Sequence, residues 1–192
     1  MPRPVMNRPN LDQIEDALVH LAISAISDLA STHPDERFYA FGLDCHAEHG
    51  QILLCASTEE YFQQISVEYV QRWNYSPSDL ADLRRNFGDW KYQGFNDGQA
   101  HWEQGWQPVQ QAIGEFMWAE DEDEEAHEQA CQEFIEEFLC CACRALVRVE
   151  QSKVLERLQR EPGFFTLVMD HDEDPDEAMA RMHQVRSAIN AP

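Results

Sequence analysis

Glu120-Asp121-Glu122-Asp123-Glu124-Glu125 is the densest run of charged groups in the chain. Six adjacent carboxylates repel one another and cannot be buried unpaired, so the run belongs in water or against a cationic partner. Its background is equally short of bases, with 14 Lys+Arg against 36 Asp+Glu and a formal charge of −22. Such a field repels nucleic-acid phosphate and anionic lipid, so neither is an expected partner. It attracts basic proteins and speeds their encounter.

The other candidate chemistry is weaker when set against what it requires. Asp170-x-Asp172-x-Asp174 opens like a calcium loop, but the sixth and twelfth positions hold Pro175 and Arg181 where that loop needs Gly and a bidentate Glu. The run reads instead as a strand end, a turn and a helix cap. His127 and Cys131 stand four apart, which puts two ligand types on one helix face, but no third ligand is signposted and Cys131 falls on the apolar stripe. Cys140-Cys141-x-Cys143 is dense without knuckle spacing, and packed thiols are the favoured reading. Cys140 and Cys143 share a face, which leaves a redox-sensitive pair open. His46 and His49 flank a turn as a pH-sensitive pair or as simple loop polarity. There is no G-x-S-x-G, P-loop or G-x-G-x-x-G. No catalytic residue, metal or cofactor is expected.

Length and periodicity define the elements that must hold these groups. At 192 residues and 43% hydrophobic content, the chain suits one domain with a true core. Residues 1–9 form a Pro-rich extended lead without an apolar signal region. No stretch approaches a membrane span. With no secretory signal, the six Cys point to reduced thiols in a cytoplasmic protein.

Leu11, Ile14, Leu18, Ala22, Ala25, Ile26 and Leu29 predict a helix over 11–31, with Asn10 as N-cap. Residues 37–45 and 51–56 read as a β-hairpin covered on both faces. Ser57 with Glu60 predicts the next helix start, and Ser76-Pro77-Ser78-Asp79 another. From Gly88 to Gly105 the pattern becomes a loop of Gly and aromatics, including Trp90, Tyr92, Trp102 and Trp106. It is either an ordered surface segment anchored by its rings or a binding loop. Pro108 is expected to open a helix that runs into the acidic block. A long helix from Cys131 extends to about Leu158 and stops at Glu161-Pro162-Gly163. Residues 164–169 read as a third strand, and Asp174-Pro175 starts the last helix.

Several of these patterns form a recognisable set. His33-Pro34-Asp35-Glu36-Arg37-Phe38-Tyr39-Ala40-Phe41-Gly42-Leu43, Cys55-Ala56-Ser57-Thr58-Glu59-Glu60, Arg72-Trp73, Asp89-Trp90-Lys91-Tyr92, and Thr166-Leu167-Val168-Met169 before Asp174-Pro175-Asp176-Glu177 occur in this order. The chain resembles a bacterial family catalogued as a domain of unknown function, DUF4303. The likeness spans most of the chain, and its motifs are short and structural. It implies a cytoplasmic bacterial α+β protein, of a type associated with immunity partners in bacterial toxin systems. The Cys-rich helix and the acidic insert depart from the family pattern.

The combined expectation is a single α+β domain over residues 10–192. Its sheet is antiparallel, built from the hairpin and the late strand and covered by the first, long and last helices. The expected function is binding and neutralising a cognate protein toxin with a basic surface, such as a nuclease. Glu120, Asp121, Glu122, Asp123, Glu124 and Glu125 would steer the encounter, and Trp102 and Trp106 would anchor it. Two alternatives stay open: a Cys/His-dependent metal-binding hydrolase, and a cytoplasmic adaptor unrelated to toxins.

Overall fold

A computed structural model of the chain describes residues 8–120, 123–189 and 191. Among the described residues, six α-helices pack on a three-stranded sheet in one α+β unit. Helix α1 (Leu11–Thr32) starts where expected: the Asn10 side chain accepts the backbone N–H groups of Asp12 and Gln13. That satisfies two of the four donors a helix start leaves open. Its apolar stripe is buried from Ile14 to Ala30.

Strands β1 (Arg37–His46) and β2 (Gln51–Thr58) form the expected hairpin, closed by a 3-10 turn at Ala47–His49. Gly50 ends that turn with φ +60, and a Cβ there would lie 2.7 Å from Ile113. Both the dihedral and the space therefore call for glycine. The pairing slips between Phe38 and Ala40. A one-residue slip moves following side chains to the opposite face. Phe38 and Phe41 thus share the larger core, while Tyr39 and Ala40 join the smaller core on the other face.

The sheet is mixed rather than antiparallel throughout. The order is β2-β1-β3, and β3 (Gln159–Asp170) runs parallel to β1. The chain leaves β2 near the start of β1 and re-enters beside it, with Gln159 opposite Arg37. A segment that returns to the end it left must run with β1, and the helices between supply the length such a connection needs. The strand is longer than the expected 164–169. Pro162 and Gly163 lie inside it, where residues 161–164 loop out opposite Tyr39.

Helices α2 (Glu59–Trp73) and α3 (Pro77–Leu83) follow the hairpin. Ser76 makes the expected cap, with a reciprocal bond from its backbone N–H to Asp79. The α2 cap is Thr58 rather than Ser57: Thr58 accepts from Tyr61 N–H, whereas Ser57 is buried at the strand end and accepts from Lys91 N–H. Helix α4 (Ala100–Met117) opens eight residues before Pro108, which sits inside it. Helix α5 (Glu124–Gln151) ends before Leu158, with Lys153 left-handed (φ 64) leading into a 3-10 turn. Helix α6 (Pro175–Ile189) completes the chain. The larger core lies between the sheet and α1, α4 and α5; the smaller holds Trp90, Phe87, Leu167 and Ala178.

Candidate functional site

The aromatic segment after Gly88 is structural. Tyr92 pairs with the free edge of β2, donating to and accepting from Ala56 at 2.9 Å. Phe95 N–H donates to Leu54 O at 3.0 Å. Buried Asn96 continues the ladder with its side chain, accepting Leu54 N–H at 2.6 Å and donating to Ile52 O at 3.0 Å. The segment thus seals an edge that would otherwise present open backbone groups.

It also joins motifs that are far apart in the chain. Tyr92 Oη lies 3.0 Å from His33 Nδ1 and 2.9 Å from both Glu36 carboxylate oxygens. Lys91 Nζ reaches Glu36 at 2.7 Å. A carboxylate only accepts, so the phenol donates to Glu36, and His33 donates to the phenol from Nδ1. Desolvation works against charge on Glu36, but the Lys91 and Tyr92 bonds outweigh it and hold the carboxyl below its ordinary range. Trp90 is buried under Phe87 and donates from Nε1 to Arg84 O at 3.0 Å. This latch fixes the N-terminal end of β1 against the aromatic segment.

Trp102 and Trp106, expected as partner anchors, are core residues of α4, 4% and 2% exposed. Trp106 Nε1 donates to Gly50 O at 2.8 Å, so even its polar atom is used inside the fold. Neither ring is presented to a partner.

The exposed aromatic at this end of the molecule is Trp118, 65% exposed, on the connection between α4 and α5. It stacks beside His49 at 5.8 Å and 22°. With Met117, Cys131 and Ile135 it lines a groove of about 760 Å³, and Glu48, Glu120, Glu124 and Glu128 supply its charge. Of the expected steering run, Glu120 and Glu124 line this groove, and Glu125 is exposed on the first turn of α5. Asp123 caps α5 by accepting Ala126 N–H at 3.1 Å. Asp121 and Glu122 lie outside the described residues. The acids of the first turn also suit the positive end of the helix dipole, so part of the run is accounted for by α5 itself.

The surroundings deepen the field. No Lys or Arg occurs between Lys91 and Arg144, while 13 Asp and Glu do. Glu133 and Glu136 extend the exposed acidic face along α5, and Glu137 is met by Arg8 at 3.0 Å. Elsewhere the bases are engaged internally: Arg144 and Arg148 on Glu15, Arg84 on Glu59, Arg181 on Glu173, and Arg37 on Glu60 and Glu161.

The thiols do not form an activated site. All six are free; Cys141 and Cys143 are buried and Cys140 is half-buried. Burial pushes Cys141 up to about 12 and Cys143 to about 11, the reverse of what a nucleophile needs. His127 Nε2 lies 3.5 Å from Cys131 Sγ, whose thiol burial also pushes up. Among the described residues one other group has the composition for a metal: Asp44, His46 and His171, at the C-terminal ends of β1 and β3. Asp170, Asp172 and Asp174 behave as turn and cap: Asp170 accepts Ala47 N–H and Asp174 accepts Asp176 N–H.

These features define a protein of one class, an α+β domain with a structural latch between its motifs and a charged groove at the α4–α5 junction. The chain belongs to the family described as a domain of unknown function (DUF4303), whose profile matches residues 18–185. No curated protein and no solved structure matches it. Among the described residues no helix is long and apolar enough to cross a membrane.

Proposed function

We propose that the chain is an acidic protein-binding domain that captures a basic segment of another protein in the Trp118 groove. In a bacterial toxin system it would act in the cytoplasm as the immunity protein of a cognate toxin whose cleft is basic. The observation that carries this reading is the juxtaposition of a largely exposed Trp118 with Glu48 and with Glu120, Glu124 and Glu128, the last three in a tract without bases. Tryptophan gives contact area at low conformational cost, and its face accepts a Lys or Arg cation. The carboxylates add attraction over a Debye length of about 10 Å at 0.1 M salt. Steering would make capture fast, and the ring would slow release.

Co-expression with the toxin encoded by the neighbouring gene tests this. The wild-type chain should restore growth and bind the purified toxin with an association rate that falls steeply as salt rises. Trp118→Ala should weaken binding by about 30-fold, the effect of losing a 2 kcal/mol anchor. Replacing Glu120, Glu124 and Glu128 with Gln should slow association and flatten its salt dependence. A neighbour that is not toxic, or binding unaltered by both variants, removes the reading. The adaptor alternative uses the same groove and differs only in the partner.

A further inference from the structure

The expected antiparallel sheet would have placed the end of the third strand far from the end of the first. The parallel pairing brings them together. Cys45 stands opposite Asp170, and His171 N–H donates to Cys45 O at 2.8 Å. Asp44 and His46 are two apart on β1 and therefore on one face of it. One carboxylate and two imidazoles meet beyond the carboxyl ends of two parallel strands, where open sheets bind ligands.

We propose that Asp44, His46 and His171 form a binding site for a divalent transition metal ion of the zinc class. One ligand atom from each residue lies within 4.8 Å of the others. His171 Nδ1 is 3.5 Å from Asp44 Oδ1, and the two imidazoles stack at 4.1 Å and 25°. Tetrahedral ligands with metal bonds of about 2.05 Å stand about 3.3 Å apart, so binding draws the widest pair in by at most about 1.5 Å. His171 is largely exposed and can make that adjustment by side-chain rotation.

A second observation points to a cation. Asp44 is 8% exposed, and its Oδ1 is buried without a hydrogen bond. The 3.5 Å approach of His171 is an ion-pair distance whose geometry falls short of a bond, so the oxygen stays unsatisfied. Burial pushes the Asp44 carboxyl up, with the two histidines only partly offsetting it. A buried carboxylate oxygen met by an imidazole at 3.5 Å without a well-formed hydrogen bond is incompletely compensated, and a divalent ion supplies what is missing. A cavity of about 160 Å³ lined by His46, Glu48, His49, Asp170, His171 and Asp172 opens beside it.

The surroundings are built to hold this arrangement. Asp170 Oδ1 accepts Ala47 N–H at 3.1 Å, Glu173 accepts Asp170 N–H at 3.0 Å, and Arg181 grips both oxygens of Glu173 at 2.5 Å. Two imidazoles and one carboxylate favour zinc, iron or cobalt over calcium or magnesium, which take oxygen ligands. Three protein ligands leave a fourth position for water or for a donor atom from a bound molecule. The site is separate from the Trp118 groove and does not rest on the partner proposal.

The test is calorimetric titration of chelator-stripped full chain with zinc alone. One equivalent should bind, and Asp44→Asn, His46→Gln and His171→Gln should each weaken it at least about 10-fold. The double variant His127→Gln/Cys131→Ala, which removes the other His–thiol pair, should bind as the wild type does. His171→Gln changes a largely exposed side chain, so it separates loss of a ligand from loss of the fold; far-ultraviolet dichroism checks the other two. Cobalt in place of zinc should give visible absorbance that His171→Gln abolishes. Absence of stoichiometric binding, binding unchanged in His171→Gln, or binding lost in the His127/Cys131 variant would each overturn the proposal.

Discussion

Removing one oxygen atom tests the latch. Tyr92→Phe keeps the ring on Phe38 and His33 (centroids at 6.0 and 4.9 Å) and deletes only the hydroxyl that joins Glu36 to His33. A hydrogen bond to a charged group contributes about 1.5–3 kcal/mol when sequestered. The Glu36 side chain keeps 27% of its exposure, and Lys91 still holds it at 2.7 Å, so water replaces part of the loss. The expected cost is about 1–2 kcal/mol, or roughly 2–8 °C in Tm for a domain of this size. Urea unfolding followed by dichroism measures it, and a cycle with Glu36→Gln should show most of the effect vanishing when Glu36 is already neutral. The sign of the pH dependence follows from Glu36. Its folded pKa is lowered from 4.5, so its contribution is complete above that value and is lost as pH falls through the lower folded value. The difference between wild type and Tyr92→Phe should therefore be full at neutral pH and shrink as pH falls below the ordinary carboxylate value of 4.5. A variant within about 0.3 kcal/mol of wild type at neutral pH, or a difference that ignores pH, would refute the latch as described.

Two further substitutions probe the sheet. Asn96→Ala leaves Leu54 N–H and Ile52 C=O buried without partners and should cost about 2–4 kcal/mol in denaturant unfolding; a near-neutral result would mean that β2 is not sealed by this side chain. Gly42→Ala would put a methyl 2.5 Å from the Phe87 ring and 2.9 Å from Leu167 O, so Tm should fall by an amount equivalent to about 1–3 kcal/mol, with partial rescue by Phe87→Leu. No fall in Tm would show that β1 and Phe87 are not in such close contact.

Local signals were legible where one residue type has one job. The Asn10 and Ser76-Pro77 caps, the hairpin and the Asp174-Pro175 start all rest on backbone donors needing a nearby acceptor, and each forms. Trp102 and Trp106 misled for a physical reason. They stand four apart, with Val109, Ile113 and Phe116 continuing the stripe, but the glycines before them and Pro108 within the run obscure one continuous helix. Proline at that position removes a donor without breaking α4. Trp118 carries no sequence mark of its exposure, because exposure is decided by how α4 and α5 pack. Asp44 and His171 are separated by most of the chain and meet only through the parallel register, which pairwise spacing cannot reveal.

The placement of charge separates folding from recognition. A chain of net charge −22 must overcome self-repulsion, and it uses its bases where carboxylates lie close to apolar surface: Arg181 on Glu173, Arg84 on Glu59, Arg144 on Glu15. Apart from Glu48, the acids of the groove and of the outer face of α5 lie in the tract from which bases are absent, and Glu128, Glu133 and Glu136 are exposed there. The turn Ala47–His49 stands between this groove and the Asp44 cluster. Glu48 lines both cavities, His46 faces His171, and His49 stacks on Trp118. A ligand held by His46 therefore lies three residues from His49, the ring that stacks on Trp118, so the two sites flank one turn while each stands on its own chemistry.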